Sequence, residues 1–354
     1  MKLIFFGTSN VALPVLEALS RKHEIAAVVT MPDSKVGRSQ TLTESPVSVL
    51  AKEMKLQIIK PEKVKGNEEF YHTLQNLVSP PPSLPPSSSA EATADRQEGG
   101  KDGGAELFVV VSYGQILPLE IINLPKFKTI NVHFSLLPKY RGSSPIQTAL
   151  LNGETQTGTS IFILDEQVDH GPLLVQEKIA IDSDDNSITL SEKMAYKSAQ
   201  LIIPTIESYA SGSLISKPQD DSQATHTEHI DKAHGRINWS QSSQQIYNQF
   251  RAFYPWPGVW TTWNGKLVKI IDCSPANFQN ASESTPTLAS QGRSPDQSVG
   301  ADSFRTGQVL EGGVVVCGES SVLQIKTLQL EGKKEIDILS FLNGYGGFVG
   351  SVLG

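Results

Sequence analysis

Lys2-Leu3-Ile4-Phe5-Phe6-Gly7-Thr8-Ser9-Asn10 opens the stretch that decides the class of fold. Val11, Leu13, Val15, Leu16 and Leu19 follow at helical spacing, and then comes Ile25-Ala26-Ala27-Val28-Val29. A short unbroken apolar run reads as a strand buried on both faces, and the apolar stripe reads as a helix. Strand, glycine loop, helix and strand are the opening of a βαβ unit, so a parallel sheet is expected. Gly7-Thr8-Ser9-Asn10 lacks the further glycines of a G-x-G-x-x-G loop. It implies no dinucleotide and reads as a tight turn before a capped helix.

Working outward, Met31-Pro32-Asp33 through Thr41-Leu42 is a polar loop after the second strand, where α/β proteins carry functional loops. A helix is expected over 46–55 from Ser45-Pro46, a strand over Leu56–Ile59 and a helix over 66–77. Residues 79–105, Pro/Ser-rich and then acidic and Gly-rich, cannot form a core and read as a disordered insertion. Leu107–Val111 and Ile130–Val132 are strands, Pro145–Leu151 a helix, Thr157–Leu164 and Leu173–Ile181 strands, and 188–210 a long amphipathic helix. Residues 1–210 therefore read as an α/β, Rossmann-like parallel-sheet domain, and 211–227 as a linker. From 228 to 354, short runs at 259–263, 267–272, 307–310, 313–317 and 321–328 with Gly turns suggest a small OB-like β-barrel. A second disordered insertion falls at 274–304, and Lys333–Leu342 reads as a last helix.

A length of 354 residues suits two domains. No apolar run is long enough for a membrane span, and no signal or transit segment is visible, so the cytoplasm is expected. Two cysteines, Cys273 and Cys317, exclude a zinc ribbon or a disulfide framework and read as buried thiols. A net charge of −7 means that any nucleic-acid partner needs a local basic surface. No coiled-coil or sustained apolar surface pattern stands out, so a monomer is expected.

The chemistry centres on Asn131-Val132-His133-Phe134-Ser135-Leu136-Leu137-Pro138-Lys139-Tyr140-Arg141-Gly142. Two positions apart on a strand, Asn131 and His133 share a face. The imidazole suits general acid–base work, and the amide N–H suits stabilisation of an oxyanion. Asp169, in the acidic turn Asp165-Glu166-Gln167-Val168-Asp169-His170-Gly171, can pair with His133 or accept a proton. Ser135 is adjacent as a conceivable nucleophile, but the set suggests direct transfer between two bound substrates. The same residues also read as a core histidine and an ordinary turn aspartate.

The Asn131–Gly142 stretch resembles the signature of the 10-formyltetrahydrofolate-dependent formyltransferases. Asp169-His170-Gly171 resembles their aspartate loop, and Leu107 through Pro118 their preceding strand and pterin-side loop. Gly235-Arg236-Ile237-Asn238-Trp239-Ser240, Arg251-Ala252-Phe253-Tyr254-Pro255-Trp256-Pro257-Gly258 and Asn264-Gly265-Lys266 are similar to the C-terminal domain of the branch acting on methionyl-tRNA. The resemblance implies formyl transfer from 10-formyltetrahydrofolate to the α-amino group of methionyl-initiator tRNA, with no metal. It implies catalytic roles for Asn131, His133 and Asp169, and a folate site at Gly114, Ile116, Leu117, Ile122, Ser135, Leu136, Leu137 and Pro138. Contacts to tRNA fall to Lys35, Arg38, Arg141, Arg236, Arg251 and Lys266. The C-terminal part is not basic overall: from Glu228 on, ten cations stand against eleven acids. The alternatives are a formyltransferase or hydrolase acting on another substrate, such as an amino sugar nucleotide, and a catalytically decayed tRNA-binding protein.

Overall fold

The computed structural model describes residues 1–36, 40–79, 103–276 and 304–354. The described chain forms two compact units. Unit 1 comprises Met1–Gly142, Gln156–Ala180 and Ser191–His226; unit 2 comprises Ser143–Thr155, Ile181–Leu190 and Thr227–Gly354. Ser143–Thr155 and Ile181–Leu190 thus join the second unit, although they precede the linker expected from sequence.

In unit 1 the strands are β1 (Lys2–Gly7), β2 (Glu24–Val29), the short β3 (Ser34–Val36) and β4 (Thr41–Thr43), β5 (Ile58–Ile59), β6 (Leu107–Val111), β7 (Thr129–His133), β8 (Gln156–Ile163) and β9 (Leu173–Ala180). Seven form one sheet in the order β5-β2-β1-β6-β7-β8-β9. Pairings from β5 to β7 are parallel, and β7-β8 and β8-β9 are antiparallel. Leu3, Ile4, Phe5 and Phe6 are all fully buried, as expected of a parallel strand covered on both faces. Helices α1 (Leu13–Lys22), α2 (Pro46–Glu53), α3 (Glu68–Val78) and α4 (Leu119–Ile122) intervene. Ser45 caps α2 by accepting the Ser48 N–H at 3.0 Å, with Pro46 in the first turn. Asn67 caps α3 through the Phe70 N–H at 3.0 Å. Phe70 and Leu74 from α3 and Ile121 and Ile122 from α4 join Ile4, Phe6, Phe108 and Val110 in the core.

Residues 32–42, read from sequence as a loop, instead contain a two-stranded ribbon in which Ser34 pairs with Thr43 and Lys35 with Leu42. Thr41–Thr43 is exposed throughout, so no alternation of buried and exposed residues marks it as a strand. Most of 79–105 and 274–304 lies outside the described residues. Ala105 is buried, with its N–H on Leu77 O at 2.7 Å, and Ser274–Ala276 pair with the strand opposite.

Unit 2 contains α5 (Pro145–Leu151), the first residues of α6 (Ser187–Ala210), α7 (Ser243–Phe253) and α8 (Ile338–Gly344). A reciprocal capping box starts α7: the Ser242 N–H donates to Gln245 Oε1 at 2.9 Å and the Gln245 N–H to Ser242 Oγ at 3.4 Å. Its strands β10 (Val259–Trp263), β11 (Lys266–Ala276), β12 (Val314–Val316), β13 (Val322–Leu330) and β14 (Ile336–Asp337) form one antiparallel sheet. Residues 307–310 contribute isolated bridges rather than a strand, and β14 occupies the start of the expected last helix. Cys273 and Cys317 are both buried and free; burial pushes both thiols up, that of Cys317 to about 12. No helix among the described residues is long and apolar enough to cross a membrane.

Candidate active site

The site is built on the end of β7. Asn131 is paired with Val110 of β6, and His133 with Ser160 of β8. Asn131 is half-buried and His133 is 6% exposed. Beyond β7 the chain turns through Ser135–Pro138. The Leu137 N–H donates to Ser160 Oγ at 3.1 Å, and Ser160 Oγ donates to Ser135 O at 2.6 Å. Gln176 closes the same turn by donating to Leu137 O at 2.8 Å.

That turn brings the backbone of Tyr140 and Gly142 back to the motif's own side chains. Tyr140 has φ +61° and Gly142 φ +116°, and the second of these favours glycine. Tyr140 O lies 2.9 Å from His133 Nε2, so it accepts a proton held on that nitrogen. The opposite ring nitrogen, Nδ1, lies 3.4 Å from Asp169 Oδ2. The Gly142 N–H donates to the same carboxylate oxygen at 2.8 Å. Asn131 Nδ2 donates to Asp169 Oδ1 at 3.4 Å. Asp169 itself sits at φ +50°, a conformation aspartate tolerates better than most residues. The three catalytic candidates therefore converge, and two backbone groups of one loop set their geometry.

With Nε2–H committed to a carbonyl, the Nδ1 lone pair of a neutral His133 faces a carboxylate. In the doubly protonated ring, an N–H points there instead and forms a charge-assisted pair. Both ring nitrogens thus face protein groups. Asn131 has a second amide N–H, and it lines the adjoining cleft.

The cleft is shallow and open to solvent, with a cavity volume of about 140 Å³. Val110, Ile116, Leu117, Ile122, Leu164 and Val168 supply its apolar lining, and Gln115, Asn131, Asp165, Glu166, Gln167 and Asp169 its polar lining. Ile116 is 74% exposed and Val168 53% exposed, so the lips present aliphatic surface for a flat ring to cover. Gln115 is occupied structurally: Oε1 accepts the Val64 N–H at 3.0 Å and Nε2 donates to Pro61 O at 3.3 Å. Among the described residues no group of three or more His, Cys, Asp or Glu residues could hold a metal ion.

Several site residues expected from sequence are placed elsewhere. Ile116, Leu117 and Ile122 line the cleft; Ser135, Leu136, Leu137, Pro138 and Gly114 are not among its lining residues. Ser135 is fully buried, and its Oγ donates to Lys139 O at 2.6 Å, which removes it as a nucleophile. Leu136 packs onto Gly158 of β8 so closely that a Cβ there would lie 2.4 Å from it.

The cations divide as well. Lys35, Arg236 and Lys266 are exposed, and the Arg236 guanidinium lies 5.9 Å from the Trp260 ring centre. Arg141 is 5% exposed and Arg251 6% exposed. Arg141 is bound to Gln219 and Asp221. Arg251 reaches Asn248 Oδ1 at 2.7 Å and Asp185 O at 3.1 Å. Both are therefore structural rather than open to a tRNA. Arg38 lies outside the described residues.

Sequence reasoning missed Leu164, Val110 and Gln115 as cleft residues, and Gln219, Asp221 and His170 as supports. Residues 216–226, within the expected linker, are tied into unit 1. The Arg141 N–H donates to Thr225 O at 2.8 Å, and Leu173 and Lys217 exchange backbone hydrogen bonds. These are backbone contacts of a polar segment, which leave no periodicity to read.

Residues 1–206 match the formyl transferase family, and residues 229–346 match its C-terminal domain. A methionyl-tRNA formyltransferase of Caldicellulosiruptor saccharolyticus is 36% identical over 350 residues, covering 98% of this chain and 97% of that protein. One from Halalkalibacterium halodurans is 36% identical over 359 residues, covering 100% and 98%. Among solved structures, an N-formyltransferase from Helicobacter canadensis, in complex with folinic acid and dTDP-3-aminofucose, superposes with a TM-score of 0.59 at 19% identity. That match covers 91% of this chain and 98% of the other. A sugar 3N-formyl transferase solved with dTDP and 5-N-formyl-THF gives a TM-score of 0.58 at 19% identity, covering 94% and 99%. At that identity the two structures speak for the fold alone.

Proposed function

This chain belongs to the formyl transferase family, and we propose that it carries a formyl group from 10-formyltetrahydrofolate to the α-amino group of methionyl-initiator tRNA, for translation initiation. The observation that carries the chemistry is the convergence of Asn131, His133 and Asp169, two of which, Asn131 and Asp169, line the cleft. The full-length similarity to methionyl-tRNA formyltransferases, through both domains, supports the choice of acceptor.

In this reading Ile116, Leu117, Ile122 and Val168 hold the reduced pterin of the donor. The donor supplies an activated formyl carbon. A carbon–nitrogen bond forms to the methionyl amine, the bond to the donor nitrogen breaks, and one proton passes from the amine to the released tetrahydrofolate. The free N–H of Asn131 donates to the formyl oxygen as negative charge develops on it. When it carries both protons, His133 between Tyr140 O and Asp169 adds positive charge beside that oxygen. Asp169 fixes the ring and takes up the proton leaving the amine, directly or through one water. Holding both reactants at the cleft contributes the remainder of the rate. Arg236 and Lys266 provide exposed cations for the tRNA backbone, with Lys35 on the β3-β4 ribbon. We place the protein in the cytoplasm as a monomer.

The test offers the purified protein and 10-formyltetrahydrofolate to methionine-charged initiator tRNA and, separately, to an amino sugar nucleotide. Formylation of the tRNA is expected. Activity confined to the sugar nucleotide would overturn the acceptor while leaving the family intact.

A further inference from the structure

The catalytic carboxylate lies on a turn that is held by a residue far along the chain. Gln219 Nε2 donates to Asp169 O at 2.9 Å and to Gly171 O at 2.8 Å, straddling His170. Its Oε1 accepts two hydrogen bonds from the Arg141 guanidinium, at 3.2 Å from Nε and 2.8 Å from a terminal nitrogen. That terminal nitrogen also reaches Asp221 Oδ1 at 2.7 Å, and Asp221 Oδ2 lies 3.2 Å from His170 Nε2. Asp165 holds the other side of the ring, with Oδ2 2.6 Å from His170 Nδ1.

The amide has only one orientation that satisfies this set. Reversed, its NH₂ would face a guanidinium and its oxygen would face two carbonyls. Arg141 is buried, so its grip on Gln219 is not shared with solvent. Gly171 fixes the far end of the turn, since a Cβ there would lie 1.8 Å from Ile163 O on β8. Between these anchors the Asp169 backbone is left-handed, and its carboxylate points at the Gly142 N–H, His133 and Asn131.

We propose that Gln219, oriented by Arg141, is the positioning residue for the catalytic carboxylate of Asp169. It touches no reacting atom. It sets the turn from which the carboxylate is aimed, and so couples the segment after α6 to the reaction. The proposal rests on the formyl-transfer reading for its kinetic consequence, but its structural core does not.

The experiment uses the full chain with Gln219→Glu, which keeps the side-chain length and the grip of Arg141 but offers no N–H to the two carbonyls. A displacement of the carboxylate by about an ångström is expected to lower kcat by ~100-fold, with KM for donor and acceptor held within about twofold. In parallel, hydrogen exchange at the Gly142 amide, whose acceptor is Asp169, is expected to quicken by roughly tenfold or more. Wild-type kcat together with wild-type exchange at Gly142 would overturn the proposal. So would a loss that appears only in KM. If Gln219→Glu does not fold, Arg141→Lys carries both readouts, and wild-type values in that variant overturn it equally. Should the wild-type protein formylate neither acceptor, the functional reading fails by itself, and Gly142 exchange in the variants still decides the clamp.

Discussion

Arg141 in unit 1 and Arg251 in unit 2 are near-equally buried arginines, yet they serve different neighbourhoods. Arg141 orients a glutamine amide that holds the turn of Asp169, the carboxylate of the proposed mechanism. Arg251 donates to backbone carbonyls of Asp182 and Asp185 and to Asn248 Oδ1, while its buried Nε has no partner. A guanidinium brought out of water needs partners for its fixed fork of donors, and what those partners do next decides the residue's role. In unit 1 they lead to the carboxylate of the proposed mechanism; in unit 2 they lead back to the backbone of the unit itself.

The sharpest way to break that contrast is at the carboxylate that Arg141 indirectly serves. Asp169→Asn keeps the shape but loses the charge opposite His133. Steady-state formylation is expected to fall by about 10²–10⁴-fold, the range for loss of acid–base function. A loss under tenfold would detach Asp169 from the chemistry. In unit 2 the order inverts. Arg251→Ala removes the hydrogen bonds to Asp182 O and Asp185 O, while Asn248 Oδ1 keeps the Gln244 Nε2 donor at 3.0 Å; the change is expected to cost roughly 1–3 kcal/mol of stability in denaturant melts while kcat per folded molecule is kept. An unchanged midpoint would show that water replaces the arginine at no cost.

The exposed cations should show neither behaviour. Arg236→Ala and Lys266→Ala are expected to leave the melting temperature in place and to weaken tRNA use. Removing a cation that pairs with one phosphate should flatten the dependence of log affinity on log salt by roughly 0.7–0.9. An unchanged slope in both variants would remove this surface from the tRNA site.

The smallest effect concerns His170. Hydrogen bonding to Asp165 holds the imidazole above its ordinary value in the folded protein; burial opposes this by less, and the hydrogen bond to Asp221 adds a smaller rise still. The stabilisation is therefore full below the unfolded value near ~6.5 and fades as pH rises through the raised folded value. The melting temperature of wild type minus that of His170→Gln should be largest in mild acid and shrink toward alkaline pH. A difference that does not change with pH would contradict the pairing.

These contrasts also mark what the chain discloses before it folds. The parallel sheet is legible because Leu3–Phe6 and Leu107–Val111 are unbroken apolar runs, the mark of strands covered on both faces. Asn131 and His133 are legible because strand period places them on one face. Their partner Asp169 comes from the resemblance of its loop, with only its chemistry to suggest it otherwise. The supports are not legible. Tyr140 and Gly142 act through a carbonyl and an N–H, which nearly every residue possesses. Gln219 sits in a polar stretch whose order comes from contacts across the chain. Burial of Arg141 and Arg251 is hidden for a related reason: a cation's exposure depends on acceptors distant in sequence. The Ser135–Pro138 turn reads as pocket wall only if adjacency in the motif stands in for direction. Instead Leu136 packs on Gly158 of β8, the Leu137 backbone bonds Ser160 of β8 and Gln176, and Ser135 turns back to Lys139 O.

The central claim is the role of His133, held between Tyr140 O and Asp169 at the end of β7. Single-turnover formylation of methionine-charged initiator tRNA by the wild-type protein and by His133→Ala, with donor affinity measured in parallel, tests it. The expected result is rapid transfer by the wild type, a fall of at least about 100-fold in the variant, and donor affinity retained. Transfer by His133→Ala at near wild-type rate would contradict it.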